Sequence, residues 1–101
     1  MASLSCIGSS GLQAAQQRLS ASAHNVANLN TPGFRSQRVT QEAAPGNAGV
    51  AVTGVQRAPS EGVALEREAV EQMSATYSFS ANLKTLRTQE HMLGTLLDTR
   101  A

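Results

Sequence analysis

Proline placement constrains this chain more than any other feature. All three prolines (Pro32, Pro45 and Pro59) fall between residues 31 and 62, together with five of the eight glycines. Proline removes a backbone donor and clashes with the preceding helical turn, so long helices are confined to proline-free stretches. Residues 1–30 and 63–101 are such stretches. The pattern predicts a mainly α chain: an N-terminal helix within 1–30, a turn and short β or irregular connector over 31–62, and a C-terminal helix within 63–101. At 101 residues these parts suit one small domain, folded as a helical hairpin or coiled-coil bundle.

The first stretch carries a regular stripe. Leu12, Ala15, Leu19, Ser22, Val26 and Leu29 fall at alternating steps of three and four, the spacing of a heptad seam. Ala15 and Ser22 are small enough for close helix approach. The flanks are Gln, Ser and Ala, and Arg18 is the one formally charged residue in 1–30. A freely solvated helix is usually more charged, so this segment is expected to pack on several sides. Gly8 and Gly11 each lower intrinsic helicity by about 1 kcal/mol relative to Ala.

Asn28 and Asn30 suit a helix end, because Asn tolerates left-handed backbone geometry. Thr31-Pro32-Gly33-Phe34 then fits a type II turn, with Pro second and Gly third. Phe34 to Glu42 can be extended, Ala43 to Gly49 has turn chemistry and is expected to be mobile, and Val50 to Val55 has the β-branched content of a strand. A lone two-stranded hairpin is marginal in water and needs a helix to lie on.

The second helix is expected to begin between Val63 and Glu66. Glu66, Glu68 and Glu71 crowd its start, as the helix dipole favours, and are read as a solvated helix start. Its stripe is Phe79, Leu83, Leu86, Leu93 and Leu97, interrupted by Glu90. Val70, Met73 and Tyr77 extend an apolar face upstream, and Met92 and Leu96 widen it downstream. A helix from Glu66 to Asp98 would be on the order of 50 Å long, which suits a hairpin or bundle.

Several function classes find no support. The formal net charge of +1 argues against a dedicated nucleic-acid binder and a polybasic membrane anchor. No run of about 18 apolar residues exists to span a membrane. No cleavable secretory signal is expected at the start. Cys6, His24 and His91 make no zinc spacing, and no nucleotide-binding glycine pattern or Ser–His–acid arrangement has a recognisable context. The chain is expected not to be an enzyme and to use no cofactor or metal.

One stretch is distinctive. Ser20-Ala21-Ser22-Ala23-His24-Asn25-Val26-Ala27-Asn28-Leu29-Asn30-Thr31-Pro32-Gly33-Phe34-Arg35 resembles the N-terminal signature of the bacterial flagellar rod, hook and hook-associated axial proteins. Ser80-Ala81-Asn82-Leu83-Lys84-Thr85-Leu86 and Met92-Leu93-Gly94-Thr95-Leu96-Leu97-Asp98 are similar to the C-terminal helix of that family, most of all to a proximal-rod subunit. Gly49 to Val55, followed by Ala58-Pro59-Ser60, also resembles that subfamily. Rod proteins of this kind usually carry a Pro/Asp/Gly-rich stretch before the C-terminal helix, whereas here Ser60-Glu61-Gly62 runs almost directly into Val63-Ala64-Leu65-Glu66.

The resemblance implies a structural component of the flagellar basal-body rod, located in the periplasm. It implies passage through the flagellar type III export apparatus without a cleaved signal. It also implies coiled-coil assembly with itself and with other rod or axial proteins into a tube that supports motility. Leu12, Leu19, Val26, Leu29, Phe79, Leu83, Leu86, Leu93 and Leu97 would carry the packing. Asn25, Asn28, Asn30, Thr31, Pro32, Gly33 and Phe34 would fix the exit from the first helix. The shortened middle leaves an alternative: a rod-protein paralogue acting as a helical adaptor or export-associated binding module.

Overall fold

The two proline-free ends are the two helices. In a computed structural model that describes residues 4–47 and 49–100, α1 spans Leu4–Ala27 and α2 spans Leu65–Arg100. Between them β1 (Gln37–Ala43) and β2 (Val50–Arg57) form an antiparallel hairpin, closed by a single 3-10 turn at Pro45–Asn47. The fold is therefore mainly α with a short β connector. Of the turn Ala43–Gly49, Ala48 lies outside the described residues. The 36 residues of α2 amount to about 54 Å of helix, and the molecule measures 64 × 25 × 14 Å.

The helices run antiparallel, as their contacts show. Ser5 Oγ donates to Gln89 Oε1 at 3.1 Å near one end, and Ser22 Oγ donates to the Glu68 carbonyl at 3.2 Å near the other. Between these points the backbones approach closely. A Cβ on Gly11 would stand 2.5 Å from Asn82 Oδ1, and one on Gly8 would stand 3.0 Å from Leu86 Cδ2. The two glycines that weaken α1 as an isolated helix thus make room for α2. Small-residue contact of this kind lets helices meet at short range, and packing offsets the lost propensity.

The face that α1 turns to α2 is therefore narrower than its leucine stripe. Gly8, Gly11, Ala15, Arg18, Ser22 and Asn25 make or line the contact, and Ala15, Ser22 and Asn25 are buried to 1% exposure. Leu12, Leu19 and Val26 flank it and are half-buried. Leu29 does not belong to α1; the helix has already ended, and this side chain is 40% exposed. On α2, Phe79, Leu83 and Leu86 are half-buried, whereas Leu93 and Leu97 are exposed. The reason is length: α2 continues past Gln89 beyond the described start of α1.

The hairpin lies against α1. Its register pairs Val39 with Val55 and Thr40 with Gly54, then slips so that Gln41 meets Val52. The slip leaves Thr53 as the extra residue of a bulge, and its hydroxyl donates to the Thr40 carbonyl at 3.2 Å. Ser10 of α1 ties down the far end by accepting the Val50 N–H at 3.1 Å. Among the described residues, the buried apolar side chains are Ala14, Ala15 and Ala75. A core of alanines removes little area from water, so the fold leans on polar contacts and on close helix approach.

Candidate functional site at the helix exit and seam

Helix α1 ends where its sequence supplies a stop. The Asn28 N–H still reaches the His24 carbonyl at 3.2 Å, and the Asn28 side-chain Nδ2 donates to the same carbonyl at 2.9 Å. Asn28 thus gives the helix-end carbonyl of His24 a second, shorter bond from its side chain. The Thr31 N–H donates to the Asn28 carbonyl at 3.0 Å, and the Thr31 hydroxyl donates to Asn28 Oδ1 at 3.1 Å. Phe34 N–H then closes on the Thr31 carbonyl at 3.3 Å with Gly33 at φ 73°. That is the type II geometry, in which the third position strains any side chain. Asn30, Pro32 and Gly33 are exposed. Phe34 folds back so that its ring meets the edge of His24, with centroids 5.5 Å apart and planes at 63°.

Asn25 does more than end a helix. Its Oδ1 accepts the Gln37 N–H at 2.7 Å, and its Nδ2 donates to the Gln37 carbonyl at 2.9 Å. One amide therefore pairs with both backbone groups of the first residue of β1. The same Nδ2 donates to Glu68 Oε1 at 2.7 Å, on the first turn of α2. Asn25 is 1% exposed and Glu68 6%, so these bonds form away from water, where an unmade one costs about 1–3 kcal/mol. A single side chain holds α1, the hairpin and α2 together.

Polar contacts continue along the seam. Arg18 Nε meets Glu71 Oε1 at 2.7 Å, and Arg18 Nη2 donates to Ser74 Oγ at 2.9 Å. Glu71 keeps 41% of its side chain exposed, so this pair fixes register more than it stabilises. Ser36, also buried, donates to the Gly62 carbonyl at 3.1 Å, and the Gly62 N–H returns to the Phe34 carbonyl at 2.9 Å. These bonds bind the chain leaving the turn to the chain entering α2.

Asn28, Thr31 and Gly33, which mark the exit in the sequence, lie in one turn, whereas Asn25, which only the resemblance singles out, is still inside α1 and reaches Gln37 and Glu68. The leucines are spread along the flanks of the helix pair. Two partners were not legible in the sequence. Glu68 is buried rather than solvated, because the hairpin and α1 close over the start of α2; its sequence context is only one of three glutamates on a helix start. Gln37 takes part through its backbone, which leaves no signature in side-chain chemistry. A cleft of about 230 Å³ lies beside this junction, lined in part by Arg18, Gln37, Arg38, Arg67 and Glu68. Arg18 and Glu68 are already engaged with protein partners.

Among the described residues no group of three His, Cys, Asp or Glu could hold a metal ion, and no helix is long and apolar enough to cross a membrane. The arrangement is suited to joining helices. Comparison with known proteins bears on what is joined. Residues 7–35 match the family described as flagella basal body rod protein, so the match covers α1 from Ile7 and the whole helix-exit turn. No curated protein matches the chain.

Proposed function

Taking the match to the flagellar basal-body rod proteins as premise, a family structural rather than enzymatic, we propose that this chain is a rod subunit whose terminal helices pack with neighbouring copies and other axial proteins into the axial tube, in support of motility. One observation carries the reading. The matched segment ends in the turn that Asn28 and Thr31 build, and it contains Asn25, the side chain on which both helices and the hairpin converge. The part of the sequence that is like a rod protein is thus the part that organises the fold.

The thin core supports the same reading. Among the described residues the buried apolar side chains are alanines, so folding alone removes little apolar area from water, and neighbours in a filament would add the burial that the single chain lacks. The leucines of α2 beyond Gln89 are available for that purpose. Delivery through the flagellar type III export apparatus to the periplasmic rod belongs to the same proposal. A short connection supports a second reading: residues 58–64 alone join β2 to α2. A shortened paralogue of this kind would act as a helical adaptor or export-associated module.

Localisation separates the two. An epitope-tagged full chain is expected in purified basal bodies, and deletion of its gene is expected to stop hook and filament formation. Absence from basal bodies, in deletion cells that still swim, would overturn the rod reading and favour the adaptor.

A further inference from the structure

Asn25 places charged side chains as well as backbone. By holding Gln37 and Glu68 on one amide, it brings their sequence neighbours, Arg38 of β1 and Arg67 of α2, onto the cleft of about 230 Å³ at the junction. The same two arginines line a second cleft, of about 340 Å³, together with Ser36, Ser60 and Glu61. Both arginines are exposed, and among the described residues neither guanidinium makes a hydrogen bond or an ion pair. They are free to turn toward whatever enters the first cleft.

The remaining charges of that cleft leave one positive charge over. Arg18 is matched by Glu71 at 2.7 Å. Glu68 is 6% exposed, and its carboxylate takes its hydrogen bonds from the neutral amide of Asn25. No cation touches it among the described residues. One of the two free guanidiniums offsets this carboxylate through space, and the other is surplus. Glu61 lines only the second cleft and is exposed, so solvent and salt screen it.

A carboxylate suits such a place better than a phosphate. It brings a single negative charge, and its two oxygens match the planar fork of a guanidinium. A phosphate group brings about −1.5 to −2 at pH 7, close to Glu68 and Glu71, which repel the excess. Gln56 also lines the cleft, and its amide can donate to an acid. Sites for drug-sized ligands run to roughly 300–1,000 Å³, so this smaller space suits one acidic side chain or a small acid.

We infer that the cleft binds one carboxylate, held by the guanidiniums of Arg38 and Arg67 between β1 and the first turn of α2. A free small acid and an acidic side chain of a protein partner offer the same chemistry. The inference goes beyond the rod reading and does not depend on it, because it uses only the charges at the junction.

Nuclear magnetic resonance of the isotope-labelled full chain reads the side-chain Nε–H signals of Arg38 and Arg67 directly. Four probes are titrated at constant ionic strength: acetate, the peptide acetyl-Ala-Ala-Glu-Ala-Ala-amide, its Gln counterpart and inorganic phosphate. The Glu peptide is expected to shift both signals saturably, with a Kd on the order of 10 mM, and the Gln peptide to leave them in place. Arg38→Gln and Arg67→Gln are each expected to weaken binding at least about fivefold, with circular dichroism confirming the helices. Arg57→Gln, at an exposed arginine of β2 that lines neither cleft, is expected to change nothing. Acetate binding as tightly as the Glu peptide assigns the site to free acids, and tighter binding of the peptide assigns it to a protein side chain. Equal shifts from the Gln peptide, phosphate binding tighter than both carboxylates, or no saturable shift overturns the inference. An Arg57→Gln effect as large as that of Arg38→Gln overturns it too, since a diffuse positive field would then account for the binding. Absence of the chain from basal bodies would sink the rod reading and leave these titrations unchanged.

Discussion

The two ends of α2 obey different rules. The face that its first turns present to α1 is polar and satisfied: Glu68 accepts from Asn25, Glu71 meets Arg18, and the Glu68 carbonyl accepts from Ser22. Its last turns are apolar and open, with Met92, Leu93, Leu96 and Leu97 all more than half exposed. Buried polar bonds demand one geometry, because each unmade bond is costly. Apolar surface is non-directional and accepts any partner of suitable shape. The polar junction at one end of the helix therefore specifies how this chain folds, whereas the open apolar turns at the other end impose no such geometry.

Substitutions can break that contrast. Asn25→Ala should have the largest effect, since it strips partners from the Gln37 N–H, the Gln37 carbonyl and Glu68 at once. We expect a loss of about 3 kcal/mol or more, seen as a large fall in the thermal midpoint by circular dichroism. A midpoint close to wild type would show that the junction does not organise the fold. Gly11→Leu comes next. Its side chain must displace Asn82, and overpacking of this kind costs about 2 kcal/mol in urea unfolding.

Gly33→Ala tests the exit turn alone. The position sits at φ 73° with open space around it, so the cost is backbone strain of about 1 kcal/mol. A neutral result would mean that the turn relaxes without strain. Leu97→Ala should be the mildest for the isolated chain, within about 0.5 kcal/mol of wild type in the same urea unfolding, because 68% of Leu97 is exposed. The contrast sharpens if that variant also self-associates less in sedimentation, and it fails if Leu97→Ala destabilises the monomer as much as Asn25→Ala does.

Much of the fold was legible because its cues are local. Confinement of proline to the middle marked two helices, Asn28 with Thr31-Pro32-Gly33 marked where the first one stops, and the valines of Val50 to Val55 marked a strand. Choosing the face of α1 was harder. A heptad stripe ranks residues by hydrophobicity and favours Leu12, Leu19 and Val26. Helices that approach closely rank them by size, and that put Gly8, Gly11, Ala15 and Ser22 inside. Periodicity alone cannot distinguish these criteria, because Ala15 and Ser22 satisfy both.

The amino-acid sequence by itself determined the order of elements, the stop after α1 and the absence of a large aromatic core, since each follows from backbone chemistry or composition within a few residues. Only the tertiary structure decided that Glu68 is buried against Asn25, that the smallest residues face α2, and that Leu93 and Leu97 lie beyond the reach of α1. Those outcomes depend on how far one helix extends past another and how closely they approach. Both are distances between residues far apart in the chain, and no local pattern encodes them.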